Sequence, residues 1–272
     1  MHKHKLMIFV IAFLAIVIGI LILVWFGQRS LIYYPDRSNP GSADNKIAGG
    51  KDIQITTEDY LTLDAWLVSP VENDLNIAVL YLPGNGGNRL GRLEPAEAIS
   101  KLGYTVLLLD YRGYGGNPGT PSEEGLVSDA RAAAHYLMTH GFPQERILYV
   151  GESIGTGVAA QLAVTDPPAG IVLRSPYTSL ADVAKAQVKV PVNLILRDKF
   201  ETLKYLPDIN VPITVLCGSE DTLVPASQSA TVAEHVVNLH DFIEVKGRSH
   251  NDDLWFGPYL AKQIDSLAKS SI

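Results

Sequence analysis

A serine, an aspartate and a histidine stand in this chain in the order, and in the settings, that nucleophilic catalysis requires. Ser153 is the centre of Gly151-Glu152-Ser153-Ile154-Gly155, between the apolar run Ile147-Leu148-Tyr149-Val150 and the helix-like run Ile154–Ala160. A serine hydroxyl is a weak nucleophile until a neighbouring base takes its proton. A GxSxG turn between strand and helix holds the hydroxyl out at the sheet edge. The small Gly151 and Gly155 let backbone pass close to backbone. The helix start offers N–H groups and its positive end to a developing anion.

The other two partners follow in chain order. Asp221 lies past the apolar run Ile213–Cys217, in Gly218-Ser219-Glu220-Asp221-Thr222-Leu223-Val224-Pro225. His250 lies past the last such run, in Gly247-Arg248-Ser249-His250-Asn251-Asp252. Both therefore fall at the carboxyl ends of strands, where ligands bind in open α/β sheets. The expected roles are nucleophile for Ser153, base for His250, and orienting acid for Asp221. Glu220, Asp252 and Asp253 are the competing acids. His135, His140, His235 and His240 fall on or beside helices and suit surface or packing roles.

An oxyanion would need N–H donors from the residue after the nucleophile and from the loop after the third strand. That loop is Leu82-Pro83-Gly84-Asn85-Gly86-Gly87-Asn88. The donors are assigned to the backbone N–H groups of Asn85 and Ile154, with their side chains incidental. A phosphate cradle would need a GK[ST] ending, which the loop lacks. Asp110-Tyr111-Arg112-Gly113-Tyr114-Gly115 is read as a structural turn. No metal-ligand spacing and no cofactor motif is present.

The elements that must position these groups are legible as apolar runs. Ile53–Thr57 and Leu61–Val68 alternate roughly and read as antiparallel strands. Ile77–Leu82, Thr105–Leu109, Ile147–Val150, Ile171–Leu173, Ile213–Cys217 and Phe242–Val245 are continuously apolar, as strands buried on both faces must be. Helix-like stretches intervene at Leu93–Leu102, Glu123–His140 (capped by Ser122), Ile154–Val164 and Ser227–Val237, and Leu254–Leu267 closes the chain. Such alternation predicts a mostly parallel sheet with helices on both faces.

Leu6 to Phe26 carries no charged or polar side chain and would span about 31 Å as a helix, close to the hydrocarbon thickness of a bilayer. A cleaved signal would have an apolar stretch of about 7–15 residues followed by small residues, so an uncleaved anchor is expected over 6–26. Lys3, Lys5 and the terminal amine against Arg29 and Arg37 tilt the topology towards an extracytoplasmic catalytic domain. Residues 27–51 read as a juxtamembrane connector and 52–272 as the catalytic domain, with a short cap segment about 180–206 in which Val188–Leu196 forms an apolar patch. That patch suits either an acyl chain or a core helix. The formal net charge of −7, without a basic block, excludes nucleic acid as a partner class. The single cysteine, Cys217, sits in a strand-like run and is read as core.

Together Gly151–Gly155, Pro83–Asn88, Asp110–Gly115, Ser175-Pro176-Tyr177-Thr178-Ser179, Asp221 and His250 resemble the α/β-hydrolase superfamily over roughly Leu31 to Leu267. The resemblance is to its membrane-associated, short-capped branch, alongside serine aminopeptidase- and lysophospholipase-like members. It implies hydrolysis of esters, thioesters or sometimes amides of a small-molecule or acylated substrate, with no cofactor. Members that depalmitoylate proteins attach through an N-terminal cysteine cluster, absent here, so that activity is not carried over. The loop also opens Pro83-Gly84 where many relatives have His-Gly. Two alternatives stand beside the ester hydrolase: a serine peptidase for short peptides, and a non-catalytic membrane-anchored scaffold.

Overall fold

The computed structural model describes residues 2–187, 193 and 195–272. The chain opens with helix α1 (His2–Ile32) and passes into a short extended segment, Tyr34–Pro35, that pairs in parallel with Gly86–Gly87. Eight strands follow: β1 (Gly50–Thr56), β2 (Thr62–Val68), β3 (Ala78–Leu82), β4 (Thr105–Leu109), β5 (Ile147–Glu152), β6 (Gly170–Arg174), β7 (Ile213–Gly218) and β8 (Leu239–Val245). Their order across one sheet is β8-β7-β6-β5-β3-β4-β2-β1. β2 runs antiparallel to β1 and β4, and every other pairing is parallel.

Continuous apolarity in β3 to β7 reflects burial on both faces. Leu80 and Leu82 of β3 and Leu107 and Leu109 of β4 pack into one core with Ala130 of α3 (Glu123–Thr139), Val158 of α4 (Ile154–Thr165) and Val232 of the later helix Ala226–His235. Val79, Tyr81, Val106 and Leu108 face the other core, with Ile99 of α2 (Leu93–Ser100) and Ile264 and Leu267 of the C-terminal helix Pro258–Ser271. Cys217 is buried in β7, as its sequence setting predicts. Ser122 caps α3, its side chain accepting from the Gly125 N–H at 3.0 Å.

β3 has β4 on one side and β5 on the other, so the connections out of β3 and β5 diverge at the carboxyl edge of the sheet. This is the crevice where open α/β sheets bind ligands.

The N-terminal helix and the cap differ from the sequence expectation. α1 continues through Ile32, into the stretch read as connector, because Gly27 and Ser30 do not interrupt it and Pro35 is the first residue unable to continue a helix. Within the expected cap, α5 (Leu180–Gln187) and the short α6 (Thr202–Tyr205) were not foreseen. Of the apolar patch Val188–Leu196, residues 188–192 and 194 lie outside the described residues.

Candidate active site

The turn from β5 into α4 forces Ser153 to φ 52° and ψ −116°, a conformation that non-glycine residues rarely adopt. The flanking glycines make it possible. A Cβ at Gly151 would stand 2.7 Å from the Gly155 carbonyl oxygen, and one at Gly155 would run into the carbonyl oxygen of Leu82. The strained turn is fixed by three bonds: Ser153 N–H donates to the Arg174 carbonyl at 2.9 Å, and the Thr156 N–H and hydroxyl donate to the Ser153 carbonyl at 2.9 and 2.6 Å.

The structure brings Ser153, His250 and Asp221 into one series. His250 Nε2 lies 3.1 Å from Ser153 Oγ, and Nδ1 lies 2.7 Å from Asp221 Oδ2. An ionised carboxylate only accepts, so the proton sits on Nδ1 and Nε2 is left to accept from the serine hydroxyl. Asp221 Oδ1 accepts from the N–H groups of Leu223 and Val224 at 3.0 and 2.8 Å. Burial pushes the Asp221 carboxyl up, but the hydrogen bond and charge of His250 outweigh it and hold the group below its ordinary 3.8. All three side chains are nearly buried. The competing acids are engaged elsewhere or lie outside: Asp252 caps the turn at Leu254 and pairs with Arg248, and Glu220 is exposed.

Beneath the series lies a charged cluster that sequence reasoning missed. Glu152, the variable residue of GxSxG, is buried, with Arg92 Nη2 at 2.7 Å and Arg174 Nη2 at 2.9 Å from its Oε1. The Tyr81 hydroxyl donates to Oε2 at 3.0 Å. Arg174 also donates from Nη1 to the His250 carbonyl at 2.7 Å, and Trp255 Nε1 donates to the Ser249 carbonyl at 2.8 Å, so the His250 loop is held on two sides. A charged residue immediately before the serine of GxSxG was the available signal, but no spacing rule ties it to Arg92 or Arg174.

Ile154 opens α4, so its N–H has no partner one turn back. The Asn85 loop is pinned through three bonds: the Asn85 carbonyl accepts from the Tyr34 N–H and the Tyr114 hydroxyl, each at 2.9 Å, and Nδ2 donates to the Ile32 carbonyl at 2.7 Å. The Asn85 side chain, read as incidental from sequence, thus ties the loop to the end of α1. Asp110 and Arg112 serve structural pairs with Arg89 and with Asp129 and Asp59, as the turn reading has it.

A pocket of about 430 Å³ opens over Ser153, within the usual range for small-molecule sites. Asn85 and Ile154 line it beside apolar side chains from α1, α5 and the Leu223-Val224 turn. Among the described residues its lining contains no acidic side chain. Glu123, Glu124 and Asp198 line a separate charged cleft instead.

A nucleophile elbow, a hydroxyl–imidazole–carboxylate series and the strand order define an α/β hydrolase. The family model described as "alpha/beta hydrolase fold" matches residues 77–198. An uncharacterised protein of Mycobacterium tuberculosis is 40% identical over 246 residues, covering 89% of this chain and 88% of its own. Protein bem46 of Schizosaccharomyces pombe is 29% identical over 265 residues, covering 90% and 87%. The lysophosphatidylserine lipase ABHD12 of Danio rerio is 32% identical over 206 residues, covering 63% of this chain and 53% of its own. An esterase of Pyrococcus furiosus shares the fold with a TM-score of 0.72 at 23% identity, over 88% of this chain and 98% of that one. The chain belongs to the α/β-hydrolase family, with esterase- and lipase-type relatives.

Proposed function

We propose that this protein is a membrane-anchored serine hydrolase that cleaves carboxylic esters or thioesters through an acyl-enzyme on Ser153. The observation that carries the reading is the Ser153–His250–Asp221 series opening onto a largely apolar pocket. Ser153 Oγ attacks the substrate carbonyl carbon while His250 Nε2 takes its proton. The N–H groups of Asn85 and Ile154 receive the developing oxyanion. The carbon–oxygen or carbon–sulfur bond then breaks, and His250 returns the proton to the leaving alcohol or thiol. Water, deprotonated by the same imidazole, releases the acid and restores the serine. A serine here cannot support haloalkane or epoxide hydrolysis, because an alkyl ether on it would not hydrolyse.

α1 is the single membrane span in this reading. It is long and apolar enough to cross a bilayer, and most of its described apolar side chains are exposed. The balance of basic residues across it tilts the topology towards an extracytoplasmic catalytic domain. A lipid or acylated substrate suits both the pocket and the location, and the lysophosphatidylserine lipase of Danio rerio is consistent with that class. An acidic clamp for a substrate amine would favour the peptidase alternative, and among the described residues the pocket lining offers none.

The test uses p-nitrophenyl esters of rising chain length beside aminoacyl nitroanilides, with wild type and Ser153→Ala. Ester turnover that disappears in Ser153→Ala is the expected result. Nitroanilide turnover in its place would make the protein a peptidase. No turnover, with no labelling of Ser153 by a fluorophosphonate, would leave the scaffold.

A further inference from the structure

The end of α1 is built into the pocket as well as into its tether. Val24, Gln28, Leu31 and Ile32 all line the cleft over Ser153. Their spacing of i, i+4, i+7 and i+8 puts them on one face of the helix. From α5, Leu180, Val183, Ala184 and Gln187 line the same cleft at i, i+3, i+4 and i+7. Two helix faces therefore wall one pocket.

These last turns of α1 are fixed to the catalytic domain by directional bonds. Arg29 makes a two-pronged pair with the buried Asp198, Nε to Oδ2 at 2.8 Å and Nη2 to Oδ1 at 3.0 Å. Gln28 accepts from the Arg197 N–H at 2.7 Å and donates to the Ile195 carbonyl at 3.2 Å. The Arg197 guanidinium lies 5.7 Å from the centre of the Trp25 ring. A flexible tether needs none of these contacts; a wall that must hold its shape does.

The pocket-facing side also crosses a chemical boundary. Val24 belongs to the uncharged run that ends at Phe26, whereas Gln28 and Arg29 are the first polar residues beyond it. From Val24 to Leu31 the helix rises about 10 Å. One end of the wall thus lies in the apolar run, and the other reaches the Asn85 loop through the Ile32 carbonyl.

We propose that the final turns of α1 bind a single acyl chain drawn from the bilayer, with Leu31 walling the path that a long chain must take from Ser153 towards Val24. The inference rests on α1 as the membrane span and on Ser153 as the nucleophile. The ester carbonyl sits at Ser153, and the chain runs between the α1 and α5 faces towards Val24, where it meets the hydrocarbon. Substrate then reaches the serine along a largely apolar surface.

The experiment uses full-length protein in phosphatidylcholine nanodiscs. Leu31→Trp enlarges the wall, and the kcat/KM ratio for p-nitrophenyl palmitate over butyrate falls at least about tenfold, as expected when a few methylenes lose their place. Phe26→Trp, at a strongly exposed position outside the pocket, leaves that ratio unchanged. A ratio unaltered by Leu31→Trp would overturn the proposal. A second arm needs no turnover: in Ser153→Ala, palmitate bearing a mid-chain diazirine labels Leu180–Gln187 on illumination, and adding Leu31→Trp suppresses that labelling. Labelling of α5 without ester turnover in wild type would sink the hydrolase reading and keep the wall. Absence of α5 labelling would sink the wall whatever the esters show.

Discussion

Arg174 holds His250 by its backbone: Nη1 donates to the His250 carbonyl at 2.7 Å while Nη2 lies 2.9 Å from Glu152 Oε1. Arg174 ends β6 and pairs in register with Glu152 at the end of β5, next to Ser153. One guanidinium therefore joins the strand that presents the hydroxyl to the loop that presents the imidazole. Arg174→Gln loses a charge-assisted bond, a loss of about 1.5–3 kcal/mol. Its effect falls on alignment at the serine: kcat drops about tenfold or more while KM changes little. Fluorophosphonate labelling of Ser153 slows in the same proportion. Unchanged labelling in a folded Arg174→Gln protein would remove Arg174 from the positioning role.

Glu152 gives the protein a defined acid sensitivity. Burial pushes its carboxyl up, but the charges of Arg92 and Arg174, with hydrogen bonds from Arg92 and Tyr81, bring it down to about 2 from an ordinary 4.5. A carboxyl lowered on folding contributes stability that is complete above the unfolded value and is lost as pH falls through the folded one. The window therefore runs from about 4.5 down to about 2, and the contribution is about 3 kcal/mol. Glu152→Gln leaves two guanidinium groups facing a neutral amide and is less stable at neutral pH by roughly 3–5 kcal/mol. Urea midpoints measured at pH 7, 4 and 3 show this gap narrowing only below about pH 4.5. A gap constant down to pH 3 would contradict the assignment.

The sequence carried most of this architecture, for identifiable reasons. β3 to β7 are built on continuous apolar runs because two helical layers bury both faces, and the two faces draw on alternate residues such as Leu80 and Tyr81. β8 was legible only from Phe242, since the polar His240 and Asp241 cut Leu239 off from the apolar run and all three edge residues are exposed. Ser153, Asp221 and His250 could be named because each follows a strand and their order fits one mechanism. The α1 face was hidden. In a run where every residue is apolar, periodicity cannot single out Val24 or extend the pattern past Gln28 to Leu31. The Glu152 cluster was hidden too, since Arg92 and Arg174 come from other parts of the chain.

The 2.7 Å contact between His250 and Asp221 decides which nitrogen carries the proton. Asp221→Asn can present an amide N–H to Nδ1, which moves the ring proton to Nε2 and leaves no acceptor for the serine hydroxyl. The expected loss in kcat is on the order of 10³–10⁴-fold, with the fold retained, since the Oδ1 bonds to Leu223 and Val224 can persist. Stopped-flow acylation with p-nitrophenyl butyrate measures it directly. Acylation within tenfold of wild type would mean that another acid orients His250.

The Asn85 amide couples its own loop to the end of α1. Nδ2 donates to the Ile32 carbonyl at 2.7 Å, one of the helix-end carbonyls that no later turn satisfies. Asn85→Ala removes that donor but retains the backbone N–H proposed to bind the oxyanion. If the side chain only fills space, kcat stays within about twofold of wild type. If it aims the N–H, kcat falls about tenfold, because an oxyanion donor is effective only when held at 2.7–3.1 Å from the developing charge. KM for a short ester, which makes little use of α1, should hardly change. Asn85→Asp separates the two roles further: its carboxylate would face the Ile32 carbonyl and repel it, so kcat should fall below that of Asn85→Ala. Steady-state kinetics of both variants on p-nitrophenyl butyrate decide the matter, and an Asn85→Asp enzyme as active as wild type would dismiss the coupling.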